Sequence, residues 1–164
     1  MKDLVSIITP MFNSIKYIEN TIISVQAQTY QNWEMIIIDD GSTDDSIKIV
    51  KSFLEEDERI NLICLRDNKG SAVARNEGIK AAVGRYIAFL DSDDIWMQEK
   101  LEKQIQFMDG HKAPLSFTAY RKINENGEYL GKVNIYKFKV GYLDLLKTNH
   151  IGCLTAIMDT SLLD

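Results

Sequence analysis

The chain has 164 residues, 45% of them hydrophobic and 26% charged, which suits one ordinary globular domain with enough apolar mass for a sizeable core. A formal net charge of -5 with no stretch rich in Lys and Arg argues against a nucleic-acid-binding surface, and no apolar run reaches the roughly 20 residues that span a bilayer. With only Cys64 and Cys153, the former inside an apolar run, buried reduced thiols are expected; the N-terminus lacks a signal-peptide pattern, so a cytoplasmic setting is expected, with any membrane contact peripheral.

Residues 4–9 read as a buried strand ended by Pro10. Ile15, Ile18, Ile22 and Val25 then recur at spacings of three and four, marking a helix closed by the breaker-rich residues 29–32. A second strand, residues 35–38, runs into Asp39-Asp40-Gly41-Ser42-Thr43-Asp44-Asp45. Ser42 or Thr43 is expected to cap the following helix, Asp44 and Asp45 suit its dipole, and Ile47, Val50 and Leu54 form its apolar stripe.

Residues 60–65 give a third strand, and Asn68-Lys69-Gly70-Ser71 a loop leading into a small-residue helix over 72–83. The fourth strand, residues 86–90, ends in Asp91-Ser92-Asp93-Asp94. Four strand and helix alternations imply a mainly parallel sheet with helices on both faces and ligands at the C-terminal strand ends. Leu101, Ile105 and Met108 mark a further helix from Gln98; residues 115–120 and 154–158 read as strands, and Asn124-Glu125-Asn126-Gly127 as a hairpin turn, adding a small antiparallel portion.

Chemistry concentrates at three strand ends: Thr9 to Asn13, Asp39 with Asp40, and Asp91 to Asp94. Carboxylates gathered on one sheet edge repel unless something positive or hydrogen-bond-donating lies between them, and a nucleotide with a divalent metal supplies both. Asp40 is placed to accept the imide N–H of a pyrimidine base, while Asp93 suits Mg²⁺ or Mn²⁺ bridged to a diphosphate, whose charge as a leaving group the ion stabilises. Lys69 and Arg75 add positive charge nearby. A Gly-x-Gly-x-x-Gly after the first strand and a P-loop are both missing, and neither His111 nor His150 has ligand-spaced partners.

Four segments together resemble the family 2 glycosyltransferases: residues 5–13 (VSIITPMFN), 38–44 (IDDGSTD), 74–78 (ARNEG) and 89–94 (FLDSDD). The resemblance is strong over residues 4–110 and weaker beyond. It implies a GT-A (Rossmann-like) fold, a nucleotide-sugar donor, a divalent metal and inversion at the anomeric carbon. By the same resemblance, Thr9 and Pro10 line the nucleotide site with Asn13, Asp40 binds the base with Lys69 and Gly70 in the adjoining loop, and Arg75 lies near the nucleotide. Asp91-Ser92-Asp93 forms the Asp-x-Asp motif, with Asp91 and Ser92 beside ribose and diphosphate and Asp93, assisted by Asp91, on the metal. Asp94 is expected to cap the next turn, Asp39 to orient its loop, Gly78 to serve packing, and Trp33 and Trp96 to act as packing or pocket-wall residues.

The expected organisation is a single GT-A domain over 1–164, with a nucleotide-sugar-binding half over 1–110 and the start of an acceptor-side half over 111–164. The full enzyme would pass a UDP-sugar's glycosyl group to a glycan or lipid-linked acceptor in cell-surface polysaccharide synthesis. An inverting transferase needs a general base. No Glu-Asp pair follows Asp94, and Glu125, Glu128, Asp144 and Asp159 stand singly, so the base is expected beyond Asp164 and the segment alone to bind donor but transfer poorly. Two other readings stand beside this one: a non-catalytic nucleotide-binding module, and a sugar-nucleotide pyrophosphorylase, which should carry a glycine-rich basic loop where Pro10-Met11-Phe12-Asn13 stands.

Overall fold

Two strands rich in β-branched residues form the centre of the sheet: β1 (Val5–Met11), buried at every position, and β2 (Trp33–Asp39), buried at all but one. Such continuous burial requires cover on both faces, and the helices supply it. The computed structural model describes residues 3–135, 139–148 and 151–163, so the expectation for His150 falls outside the described residues. One face of the sheet carries Val5, Ile7 and Met11 against α1 (Ile18–Gln26), α2 (Ser46–Glu56) and α4 (Lys100–His111). On the other, Ile8, Ile36 and Ile38 meet α3 (Ser71–Ala81) through Ala74.

The strand order is β3 (Ile60–Cys64), β2, β1, β4 (Tyr86–Phe89), β8 (Ile157–Asp159), β5 (Leu115–Ser116), with β3 parallel to β2 and β4 parallel to β1. After β3 the chain crosses to the far side of β1, which opens a crevice at the C-terminal ends of β1 and β4. The expected strand ended by Pro10 instead continues to Met11, with Pro10 in register with Ile38. Backbone direction explains the tolerance. Met11 O accepts from Asp40 N on the β2 side and Ile8 O from Leu90 N on the β4 side, so the missing Pro10 N–H faces β4 where that strand has already ended.

β8 (Ile157–Asp159) runs antiparallel to β4 and also pairs β5 (Leu115–Ser116). The strand expected over 115–120 is cut to two residues because β8 offers partners only to Leu115 and Ser116. The strand expected over 154–158 begins later, after a 3₁₀ turn (Cys153–Thr155), since Trp96 Nε1 takes Leu154 O at 3.0 Å and Gln104 Nε2 takes Thr155 O at 2.9 Å. The expected hairpin is present: β6 (Tyr120–Ile123) pairs β7 (Tyr129–Asn134) across residues 124–127, with Gly127 at φ +78° and Asn124 Oδ1 accepting from the amides of Asn126 and Glu128. A short helix, α5 (Tyr142–Leu145), follows.

Both cysteines are free thiols, but Cys64 is exposed and Cys153 half-buried. β3 is the edge strand and only Ile60 of it is fully buried, so the apolar run around Cys64 does not imply a covered thiol. No described helix is long and apolar enough to cross a membrane.

Candidate nucleotide-sugar site

The end of β2 is shaped by backbone demands. Gly41 sits at φ +77°, where a Cβ would come within 3.0 Å of Asn68 N, so a glycine lets residues 67–70 close over the turn. There the Asp40 carboxylate, 3% exposed, accepts from the amides of Lys69 and Gly70, each at 2.8 Å. Asp39 accepts from Ser42 N at 3.1 Å, the loop-orienting part expected of it.

Ser42 and Thr43 do not cap α2, contrary to expectation. Ser42 Oγ accepts from Asn13 N at 2.9 Å and Thr43 N donates to Asn13 Oδ1 at 2.8 Å, tying the β2 loop to the β1 loop. Asp44 takes over at the helix start, accepting from Ser46 N at 3.0 Å; burial, the largest single influence, raises its pKa, but the Ser46 and Ile15 hydrogen bonds together outweigh it and hold the carboxyl below the usual value. Asn13 itself is at φ +48°, a left-handed conformation that asparagine tolerates.

The acidic loop is held from α1. Asp94 N donates to Asp91 O at 3.0 Å, closing a turn. Thr21, fully buried, has its hydroxyl 3.0 Å from Ser92 O and 2.9 Å from Asp94 O, sharing one proton between them. Further along the helix, Ser24 Oγ accepts from Trp96 N at 3.2 Å, and just beyond its end Gln28 donates to Met97 O at 2.9 Å while accepting from Leu101 N at 3.0 Å. Ser92 Oγ lies 2.7 Å from Ser14 Oγ, joining the acidic loop to the β1 loop.

Arg75 reaches across from α3 to pair with Asp91 Oδ1 at 2.5 Å and also donates to Ser71 Oγ at 3.2 Å. Asp94 is pushed up to about 6, first by burial and then by the charges of Asp93 and Asp91. Among the described residues its side chain accepts no amide as a cap, and its backbone makes the turn instead.

These loops enclose a cleft of about 390 Å³. Pro10, Asn13, Asp40, Arg75, Asp91, Ser92 and Asp93 all line it, although they come from four separate parts of the sequence. Thr9 lies beneath it, fully buried, with Oγ1 lacking a hydrogen-bond partner among the described residues. Lys69 and Gly70 contribute through their amides on Asp40 and are not in the lining. The sequence reading passed over Phe12, Ser14, Tyr17 and Ser71, which also line the cleft. Phe12 and Tyr17, exposed aromatics in a strand-end loop, carried a usable signal; Ser14 had none, because its position depends on α2 and the acidic loop.

No group of three or more His, Cys, Asp or Glu side chains is gathered for a metal among the described residues. Asp91, expected beside Asp93 on the ion, has one oxygen committed to Arg75. Asp93 is exposed at the cleft, with no ion pair among the described residues. One such carboxylate oxygen fits Mg²⁺ or Mn²⁺ of the kind that takes its other ligands from a diphosphate and water. Of the isolated acids considered as bases, Glu128 is bonded to Asn124 and Asp144 to Gly141 N. Asp159 pairs with Arg85 opposite Tyr86, at the end of the sheet away from the cleft.

The family model for glycosyl transferase family 2 matches residues 6–163. TuaG of Bacillus subtilis (strain 168), assigned as a teichuronic acid biosynthesis glycosyltransferase, is 47% identical over 158 residues, covering 96% of this chain and 63% of that protein. WfgD of Escherichia coli, a UDP-Glc:alpha-D-GlcNAc-diphosphoundecaprenol beta-1,3-glucosyltransferase, is 45% identical over 161 residues, covering 98% of this chain and 62% of that protein. S. aureus TarS 1–349 in complex with UDP superposes with a TM-score of 0.81 at 29% identity, covering 99% of this chain and 48% of that one. The chain thus spans less than two thirds of the length of each of these proteins.

Proposed function

The chain belongs to glycosyl transferase family 2, with a GT-A fold, and on that premise we propose that it forms the donor-binding part of a UDP-sugar-dependent transferase. The carrying observation is the convergence of Pro10, Asn13, Asp40, Arg75 and Asp91 to Asp93 on one cleft at the switch point of the sheet. Asp40, braced by two amides, keeps lone pairs for the N–H of a uracil base. Phe12 and Tyr17 offer flat apolar surface beside it. Arg75 neutralises Asp91 and so lowers the repulsion that a diphosphate meets at the acidic loop.

Asp93 would hold the divalent metal, which supplies charge stabilisation to the departing diphosphate. The residues around it fix where that charge develops: Thr21 and Ser14 hold the acidic loop rigidly against α1 and β1. The proposed reaction of the whole protein is transfer with inversion to a glycan or lipid-linked acceptor at the cytoplasmic side of a membrane, in cell-surface polysaccharide synthesis. TuaG and WfgD, by what they are named to do, support that setting. Membership of family 2 leaves the pyrophosphorylase reading without support.

Titration with UDP in the presence and absence of Mn²⁺ tests the donor reading. UDP is expected to bind with Mn²⁺ and at least tenfold more weakly without it, and Asp93→Ala is expected to remove that difference. Absence of UDP binding, or binding indifferent to both Mn²⁺ and Asp93→Ala, overturns it.

A further inference from the structure

Ser14 and Ser92 meet in the wall of the donor cleft, 7% and 8% exposed, with their Oγ atoms 2.7 Å apart. The backbone fixes Ser14. Its N–H donates to Ser46 Oγ at 2.8 Å, Ser46 Oγ donates in turn to Asp44, and Ser14 O accepts from Tyr17 N at 2.9 Å and Ile18 N at 3.0 Å. Ser92 is fixed from α1, its carbonyl taking the Thr21 hydroxyl at 3.0 Å. Between two hydroxyls held this way, the direction of the hydrogen bond can reverse while every heavy atom stays in place.

The direction matters because each hydroxyl has one proton to give. Ser14 Oγ also lies 3.3 Å from Phe12 O, and both contacts are hydrogen bonds only when Ser92 donates to Ser14 and Ser14 donates to Phe12 O. Ser92 then offers the cleft lone pairs alone. In the reverse direction Ser14 donates to Ser92 across the short contact, gives up only the long bond to Phe12 O, and frees the Ser92 proton for the cleft. A phosphate oxygen only accepts, so it selects the reversed direction, and the chain from Ser14 through Ser92 to that oxygen strengthens each bond in it.

We propose that Ser14 is a positioning residue for the donor diphosphate: by donating to Ser92 it turns the Ser92 hydroxyl toward a phosphate oxygen. The inference rests on the donor reading above and adds to it a residue outside the acidic loop and the direction of a proton. Ser92 stands between Asp91 and Asp93 in the chain, where a diphosphate meets carboxylates, and a hydroxyl proton presented there offsets part of that repulsion. A ribose hydroxyl both donates and accepts, so it is served by either direction and gains nothing from Ser14.

That difference supplies the test. UDP and uridine are each titrated, with Mn²⁺, into the natural protein, Ser14→Ala, Ser92→Ala and the double variant. Ser14→Ala retains the backbone bonds that fix the loop, so it is expected to fold, as a thermal melt checks. Either single substitution is expected to weaken UDP binding about tenfold, the scale of a hydrogen bond to a charged group, and to leave uridine binding unchanged. The double variant is expected to bind UDP no more weakly than Ser92→Ala, because Ser14 acts through Ser92. UDP affinity unchanged in Ser14→Ala, uridine weakened by the same factor as UDP, or losses that multiply in the double variant would each overturn the proposal. The second of those results would mean that the pair only ties the two loops together. No UDP binding by the natural protein counts against the donor reading itself, so the two failures are distinguishable.

Discussion

Gly78 marks how closely α3 approaches the sheet. A Cβ there would fall 2.5 Å from Ile8 Cγ2 and 2.7 Å from Ile38 Cδ1, both in the middle of central strands. Neither strand has room to yield, because both faces of the sheet are packed. Gly78→Ala is therefore expected to cost about 1–3 kcal/mol, an overpacking penalty, at roughly 2–4 °C of Tm per kcal/mol in a chain of this size. A thermal melt indistinguishable from the parent's would refute this. At the same scale, Asp91 and Asp93 differ only by surroundings: a guanidinium occupies the first and leaves the second to a ligand.

At the scale of elements, α1 does more than cover the sheet. Thr21 and Ser24, with Gln28 just past its C-terminal end, place hydrogen-bonding groups along residues 92–101 and so hold the acidic loop in position. Thr21→Val keeps the shape but leaves the buried Ser92 carbonyl and the part-buried Asp94 carbonyl without their shared donor, at about 1–3 kcal/mol. UDP affinity measured with Mn²⁺ is expected to fall several-fold, and Thr21→Ser to restore it; unchanged affinity in Thr21→Val would show that the loop is held by other contacts.

The C-terminal end of α2 gives a pH-dependent contribution. Asp57 receives Arg59 Nε at 2.9 Å and Nη2 at 2.8 Å, plus Gln26 Nε2 of α1 at 3.2 Å. The Arg59 hydrogen bonds lead the causes that hold its carboxyl at about 2, against an ordinary 3.8, despite burial. The depressed value means that its stabilisation is fully present above the ordinary value and is lost as pH falls through about 2. Asp57→Asn is expected to remove roughly 2 kcal/mol at neutral pH and to flatten the loss of stability between about pH 4 and 2. Denaturant midpoints across that range check it; parallel acid limbs for parent and variant would exclude the effect.

On the scale of the molecule, the strand order 3-2-1-4 brings loops far apart in sequence to one crevice, and the antiparallel β8 extends the sheet away from it. Much of this was legible from the chain. Apolar runs located β1 to β4, spacings of three and four located α1, α2 and α4, a run of small residues located α3, and the acidic runs after β2 and β4 marked the cleft. Where the reading failed, the reason was tertiary. Ser42 and Thr43 have the chemistry of caps but are used by Asn13, Cys64 lies in an apolar run on an edge strand, and residues 115–120 lack a partner strand long enough to pair with.

The sequence by itself determined the periodicity, the alternating elements and the carboxylates at strand ends, because these depend on neighbours a few residues apart. Only the tertiary structure decided which polar groups meet. It gave Asp91 to Arg75, fixed Asp40 with two loop amides, buried the Lys100 ammonium against Trp96 and placed Thr9 under the cleft instead of in it. Those pairings join residues up to dozens of positions apart, and the energy of each depends on burial that arises only when the sheet closes between its helices.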